Sequence, residues 1–437
     1  MKFQQFIRCG WSALALSTAS ASLIADTSDW AITGAVVHPV VGPTVTNGIV
    51  AVHAGHIISV GTNAPQSGAT LFDASGLHLY PGLFATATTL GLIEIDSVRA
   101  TIDTSEVGEF LPEAQAWQAV NPDSEVLPVT RANGIAHAEV IPAGASIAGY
   151  SSVIQLSGWT TEHLAVRRLA ALHVYWPSFR LDLAPKSARG DGWKSVEDQL
   201  KERSAQVREI DEYFNQAEAY AKSAAAHTND TTFATIPAWE AMSPVLRGEV
   251  PVLVHAEDAA QIRSAVEWLV KRKFHGAIVG GSEAARCADS LATNRVPLIY
   301  THEFTLPRRD TDSYDVQYAM PSVLQKAGVT VIFGDGKGTA SFVRNLPYDA
   351  GQAVAFGLSS EEALKGLTLY PATLFGLKDS LGSIEPGKDA TFILADGDVL
   401  DPKTRVRRMW IAGQEVDLSS RHTRLYDRYR SRPKPTP

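Results

Sequence analysis

The chain has 437 residues, 45% hydrophobic and 20% charged, with a formal net charge of −8. The acidic balance offers no basic face to hold phosphates, so nucleic acid is excluded from the expected partners. Outside the N-terminus no run approaches the roughly 20 apolar residues of a spanning helix, which excludes stable membrane insertion as an expectation.

In chain order, the first segment reads as a leader. Lys2 and Arg8 give a basic start, Trp11 to Leu16 a mostly apolar centre, and Ala19-Ser20-Ala21 a small-residue cleavage pattern. Residues 1–21 are therefore expected to be a signal peptide, with an exported mature chain starting near Ser22, periplasmic or extracellular. Cys9 falls in the leader and leaves Cys287 as the only mature cysteine, so an intramolecular disulfide is impossible. The helical pattern around Cys287 makes it a small buried core residue.

From Trp30 to Tyr80 the apolar pattern is short and alternating. Ile49 to His53 and His56 to Val60 flank Ala54-Gly55 as a hairpin. This half cannot close a core alone. Ala390 to Ala395 and Arg405 to Gln414, joined by the turn Asp396-Gly397-Asp398, supply the missing strands, so a discontinuous β-sandwich of residues 22–80 and 378–425 is expected. Between them, apolar runs at Ile135–Ile141, Ser152–Leu156, Leu172–Tyr175, Pro251–Val254, Ala277–Val279, Pro297–Tyr300 and Val329–Phe333 alternate with helical patterns. Such runs are the mark of buried parallel strands in an α/β fold. Lys194 to Ala226 carries Val196, Leu200, Val207, Ile210, Phe214 and Ala217 at helical spacing. With its loop-like flanks it predicts a helical insertion at about 181–237, either a lid or partner surface or a helix that caps the fold. Residues 426–437 are expected to be a frayed tail.

Four blocks then resemble one family. Pro81-Gly82-Leu83-Phe84-Ala85-Thr86-Ala87-Thr88-Thr89 stands where members of the amidohydrolase superfamily carry a first-strand His-x-His. Pro251 to Glu257 resembles their fifth strand with its metal-binding histidine, at His255. Val329 to Asp335 resembles the eighth strand, ending in the aspartate that binds metal and takes the proton of the attacking water. Arg344 to Gly351, Tyr370-Pro371-Ala372 and Ser383 to Ala390 resemble the closing segments of imidazolonepropionase-like members. The resemblance implies a (β/α)8 TIM-like barrel over 81–377 beside the β-sandwich, with chemistry at the carboxyl ends of the strands.

In that superfamily a divalent ion, most often zinc, lowers the pKa of a bound water from about 16 to about 7. This sequence keeps His255 and Asp335 but has Ala87 and Thr89 at the two first-strand ligand positions, and Gly280 or Gly281 where the sixth-strand histidine would stand. The resemblance gives Asp335 as base and His255 as ligand. His302, at the top of the seventh strand, and His173, on an earlier strand, are the candidates for completing a rebuilt site, and Glu257, Glu303 and Arg99 are candidates for holding a substrate. His137 and Glu139 alternate on one strand and are weaker candidates. Gly334 to Thr339 lacks the spacing of a phosphate loop.

Two functions stay open. One is hydrolysis of a non-peptide carbon–nitrogen bond, in a cyclic amide or N-acyl substrate, through a reduced or rebuilt metal site. The other is a catalytically inert descendant, without cofactor, that binds a small molecule or a partner. Family analogy adds a homo-oligomer to the expectations.

Overall fold

The computed structural model describes residues 29–63, 68–227, 232–336 and 339–433. The predicted leader, residues 1–21, lies outside them.

Two sheets organise the chain. The first takes β1 (Trp30–Val37), β2 (Val45–His53), β3 (His56–Gly61), β4 (Thr70–Asp73) and β5 (His78–Pro81) from the N-terminal side. The second takes β6 (Leu83–Thr88), β7 (Ile135–Val140), β8 (Ile147–Gln155), β9 (Ala165–Tyr175), β10 (Val252–Ala256), β11 (Gly276–Gly280), β12 (Leu298–Tyr300) and β13 (Val331–Phe333). β14 (Phe392–Ala395), β15 (Val406–Ile411) and β16 (Gln414–Glu415) return to the first sheet, whose order is β16-β15-β14-β5-β1-β2-β3 with β4 on β1.

The terminal sheet folds around its own core because β1 is bulged between Thr33 and Ala35 and again between Ala35 and Val37. Its first half pairs with β4 and its end pairs with β5. Bulges bend a strand and let its two halves serve different neighbours. Trp30, Trp410, Phe392 and Leu79 fill the space between, so residues from both ends of the chain share one core.

The second sheet runs β6 to β13 in sequence order and closes where Thr86 meets Gly334. Thr86 Oγ1 donates to Phe333 O at 2.8 Å and Asp335 N–H donates to Thr86 O at 3.0 Å, which seams the last strand to the first. The barrel departs from eight parallel strands at one place: β8 is antiparallel to both β7 and β9. Its connections, 141–146 and 156–164, are shorter than the dozen or more residues a parallel crossover requires, so the chain can only turn back. The runs read as buried strands are strands, but apolarity carries no information about direction.

The long helix Val196–Ala226 lies in the connection from β9 to β10 and buries Ile210, Phe214 and Ala217 in the core between strands and outer helices. Arg272, on helix Ala259–Arg272, anchors it through Asp211 at 2.5 Å and Glu218 at 2.9 Å. It is thus part of the barrel's outer layer. No described helix is long and apolar enough to cross a membrane. At the C-terminus, where the sequence suggests fraying from 426, Arg421–Arg430 is a helix started by a capping box between Ser420 and Thr423 and tied by Arg424 to Glu125 at 2.8 Å. Its Arg-rich composition disguised a helix that has local caps and no buried face.

Candidate functional site

Strand parity decides what lines the barrel. On β7, Ala136, Ala138 and Val140 face the outer helices, so His137 and Glu139 face inward. On β9, Leu172 and Val174 face outward and leave His173 and Tyr175 inside; on β10, Val252, Val254 and Ala256 face outward and leave Leu253 and His255 inside. The inner layer nearest the strand starts is apolar, with Phe84, Leu253, Ala277, Ile299 and Ile332, and Phe375 stacks on Phe84. Above it the interior turns polar.

The polar layer is one hydrogen-bonded chain. Ala87 N–H donates to Glu139 Oε2 at 3.0 Å, His173 Nε2 meets Glu139 Oε1 at 3.1 Å, and His173 Nδ1 meets His255 Nε2 at 2.9 Å. Glu139 and His173 are wholly buried. With the carboxylate accepting from His173 Nε2–H, His173 Nδ1 is left as an acceptor and takes the proton on His255 Nε2. Burial, and then the neighbouring His173, hold the His255 imidazole well below its ordinary pKa, so it is neutral. Tyr175 stacks on its face at 3.9 Å between centroids, with the rings 8° apart. His137 is pushed down to about 4 by burial.

Nearer the mouth a second pair stands. His302 Nε2 donates to Glu257 Oε2 at 2.7 Å, and Ser282 N–H donates to the same oxygen at 3.2 Å. Burial works to raise the Glu257 pKa, but the His302 hydrogen bond and charge, the Ser282 N–H and Arg308 hold it below the usual carboxylate range. Gly280 explains where this carboxylate sits. Its φ is +104°, and a Cβ there would stand 2.5 Å from Glu257 Oε1. The side chain of Glu257 therefore fills the space that a side chain at position 280 would enter.

Of the residues singled out in the sequence, His255 and His173 are brought together, as are Glu257 and His302, in two separate pairs. Asp335 is buried at the end of β13, its backbone strapped to β6. Glu303 is fully buried. Arg99 is exposed on the 3-10 turn Arg99–Thr101. Three acidic residues around that turn are engaged by hydroxyls: Glu94 accepts from Ser124 Oγ at 2.5 Å, Asp96 from Thr339 and Glu109 from Ser146. Ala87 is buried with φ +51°, and Thr89 Oγ1 is buried with no hydrogen-bond partner.

Sequence reasoning underrated Glu139. The signal was the His137/Glu139 alternation on a strand whose opposite face is wholly apolar. Tyr175, which covers His255, was missed altogether. Cys287 is buried as expected, and burial pushes its thiol up to about 11.

The donor set does not suit a divalent ion. The side chains of Ala87 and Gly280 offer no ligand atom, and His255 Nε2 is engaged with His173 Nδ1 at 2.9 Å. Among the described residues no three His, Cys, Asp or Glu side chains are grouped as a metal site requires.

Residues 146–416 match the model of the amidohydrolase family. Amidohydrolase tasK of Hapsidospora irregularis is 22% identical over 408 residues, which are 86% of this chain and 41% of that protein, so the chain spans about two-fifths of the relative's length. An amidohydrolase from Thermotoga maritima MSB8 superposes with a TM-score of 0.77 at 26% identity, over 89% of this chain and 99% of that one. A zinc-bound adenosine deaminase from Xanthomonas campestris shares the fold, with a TM-score of 0.52 at 16% identity over 92% and 97% of the two chains.

Proposed function

This chain belongs to the amidohydrolase family, and from that membership we propose that it is a member whose barrel mouth binds a small polar molecule without metal-assisted hydrolysis. Members of the family are typically metal-dependent. The observation that carries the proposal is the chain Glu139–His173–His255, in which the imidazoles use their inward nitrogens on each other and on a carboxylate instead of converging on one point. Fold and activity are separable in such a case, because the site and not the barrel does the chemistry.

The binding groups in this reading are Glu257 and His302, with Arg308 3.8 Å from Glu257. Their side chains are partly open to solvent, at 36%, 15% and 36%. A ligand carrying both donors and acceptors suits that mixture of charges. The same reading places the mature protein outside the cytoplasm, supported by the leader pattern of residues 1–21 and the single cysteine that follows it.

A second reading, hydrolysis of a cyclic amide or N-acyl bond, is supported by the resemblance that sets His255 and Asp335 at the family's ligand positions. Metal content separates the two. The purified chain, supplemented with zinc, manganese or iron and analysed by plasma mass spectrometry, is expected to hold less than about a tenth of an equivalent. About one equivalent, lost in His255→Ala together with turnover of N-acyl or cyclic amide substrates, would overturn the proposal in favour of the hydrolase.

A further inference from the structure

A cavity of about 790 Å³ lies at the opposite end of the barrel from the polar chain. Its walls include Pro251, Gly276, Pro297 and Thr330, which precede or begin β10, β11, β12 and β13, so it opens on the amino-terminal face of the strands. Leu269, Val270 and Phe274 form one side, helix Leu369–Leu374 the other, and Ile332 and Phe375 the floor. The volume falls within the range of small-molecule pockets, and the lining is mainly apolar, as such pockets are.

The charges around it are unbalanced. Glu249 is already held by Arg247, at 2.6 Å from Nε and 2.9 Å from Nη2. Arg167 and Arg295 also line the cavity, and among the described residues neither makes an ion pair. Arg167 is half-buried; its Nε donates to Leu169 O and its Nη2 to Glu249 O, each at 3.3 Å. Its Nη1 has no such acceptor and lies against Gly376, where a Cβ would come within 3.3 Å. The missing side chain at 376, a left-handed position with φ +67°, lets the backbone there pack closely beside the guanidinium, which lines the cavity. In a chain of net charge −8, two unpaired guanidiniums over an apolar cavity are a specific local reversal of sign.

We propose that this cavity binds a small amphipathic monocarboxylate, its carboxylate on Arg167 with Arg295 at the rim and its aliphatic or aromatic tail over Phe274, Leu374 and Phe375. A guanidinium with free donors is the side chain best suited to a carboxylate. The apolar floor disfavours a multiply charged or fully polar anion. The site is independent of the reading of the barrel mouth.

Calorimetric titration of the purified chain with octanoate, and separately with phenylacetate, tests it. At least one is expected to bind saturably and more tightly than about 1 mM, with the uncharged octanamide at least about tenfold weaker for the charge-assisted contact it lacks. Arg167→Gln is expected to weaken carboxylate binding about tenfold or more. Because Arg167 also ties down two carbonyls, Val270→Trp provides a second variant: Val270 is 47% exposed, and the larger ring fills the cavity without touching those bonds. It is expected to abolish binding, whereas His302→Ala at the mouth leaves binding unchanged. The proposal is overturned if neither carboxylate binds, if octanamide binds equally well, if Val270→Trp binds like the parent, or if His302→Ala removes binding.

Discussion

Replacing Glu139 tests whether the buried polar chain is a structural strut. The carboxylate is wholly buried and accepts from two donors, Ala87 N–H at 3.0 Å and His173 Nε2–H at 3.1 Å. Glu139→Gln keeps one acceptor oxygen and turns an NH2 group toward the other donor, so one buried donor loses its partner. That costs about 1–3 kcal/mol, and Glu139→Ala, which strands both donors, about twice as much. Against a total stability of about 5–15 kcal/mol, either is a large fraction. Urea unfolding followed through the nine tryptophans is expected to show midpoints in the order parent, Gln, Ala, with the denaturant dependence unchanged. If both variants unfold with the parent and only a hydrolytic turnover falls, Glu139 is a catalytic group and the strut argument fails.

Acid is expected to destabilise the fold through the inward histidines. The folded chain holds His137 at about 4 and His255 well below 6.5, while the unfolded chain takes up protons on these rings from about 6.5 downward. Unfolding then absorbs protons, so stability is complete above about pH 6.5 and falls toward pH 4, by up to roughly 3 kcal/mol for His137 alone; urea midpoints at pH 7 and 5 measure this, and His137→Leu should flatten the difference. Gly280→Ala is expected to cost about 1–3 kcal/mol, from the left-handed φ and the Cβ pressed on Glu257, and to release the His302 ring. A shifted midpoint together with a changed His302 ring signal in NMR checks it, and an unchanged ring signal counts against the Glu257 placement. Cys287, buried and with its thiol raised to about 11, is expected to resist thiol reagents at pH 8 until denaturant is added.

Much of the fold was legible because barrel strands are buried on both sides and so read as continuous apolar runs. The direction of β8 was not, since it depends on what the connections 141–146 and 156–164 can span. The long helix was legible in the spacing of Ile210, Phe214 and Ala217, but its docking on Trp268 and Arg272 was not, because periodicity gives a face and no partner. At the site, the resemblance implied that Ala87, Thr89 and Gly280 stand where ligands would be. That Glu257 fills the space beside Gly280 could not, because it follows from a backbone angle. Likewise the pairing of His173 with His255 needs the β9–β10 register, which sets Tyr175 opposite His255 and His173 opposite Leu253.

The same geometry explains why histidines at family ligand positions are weak witnesses for a metal here. Deep in the barrel most inward polar groups are out of reach of water and are paired with each other. His173 links the two groups: its Nε2–H answers Glu139, and its Nδ1 in turn answers the proton of His255. Removing His255 would leave His173 Nδ1 without its donor, and removing His173 would leave Glu139 Oε1 without its partner while Oε2 keeps Ala87 N–H. Glu139, His173 and His255 are therefore held by each other, so packing and hydrogen bonding alone account for their arrangement.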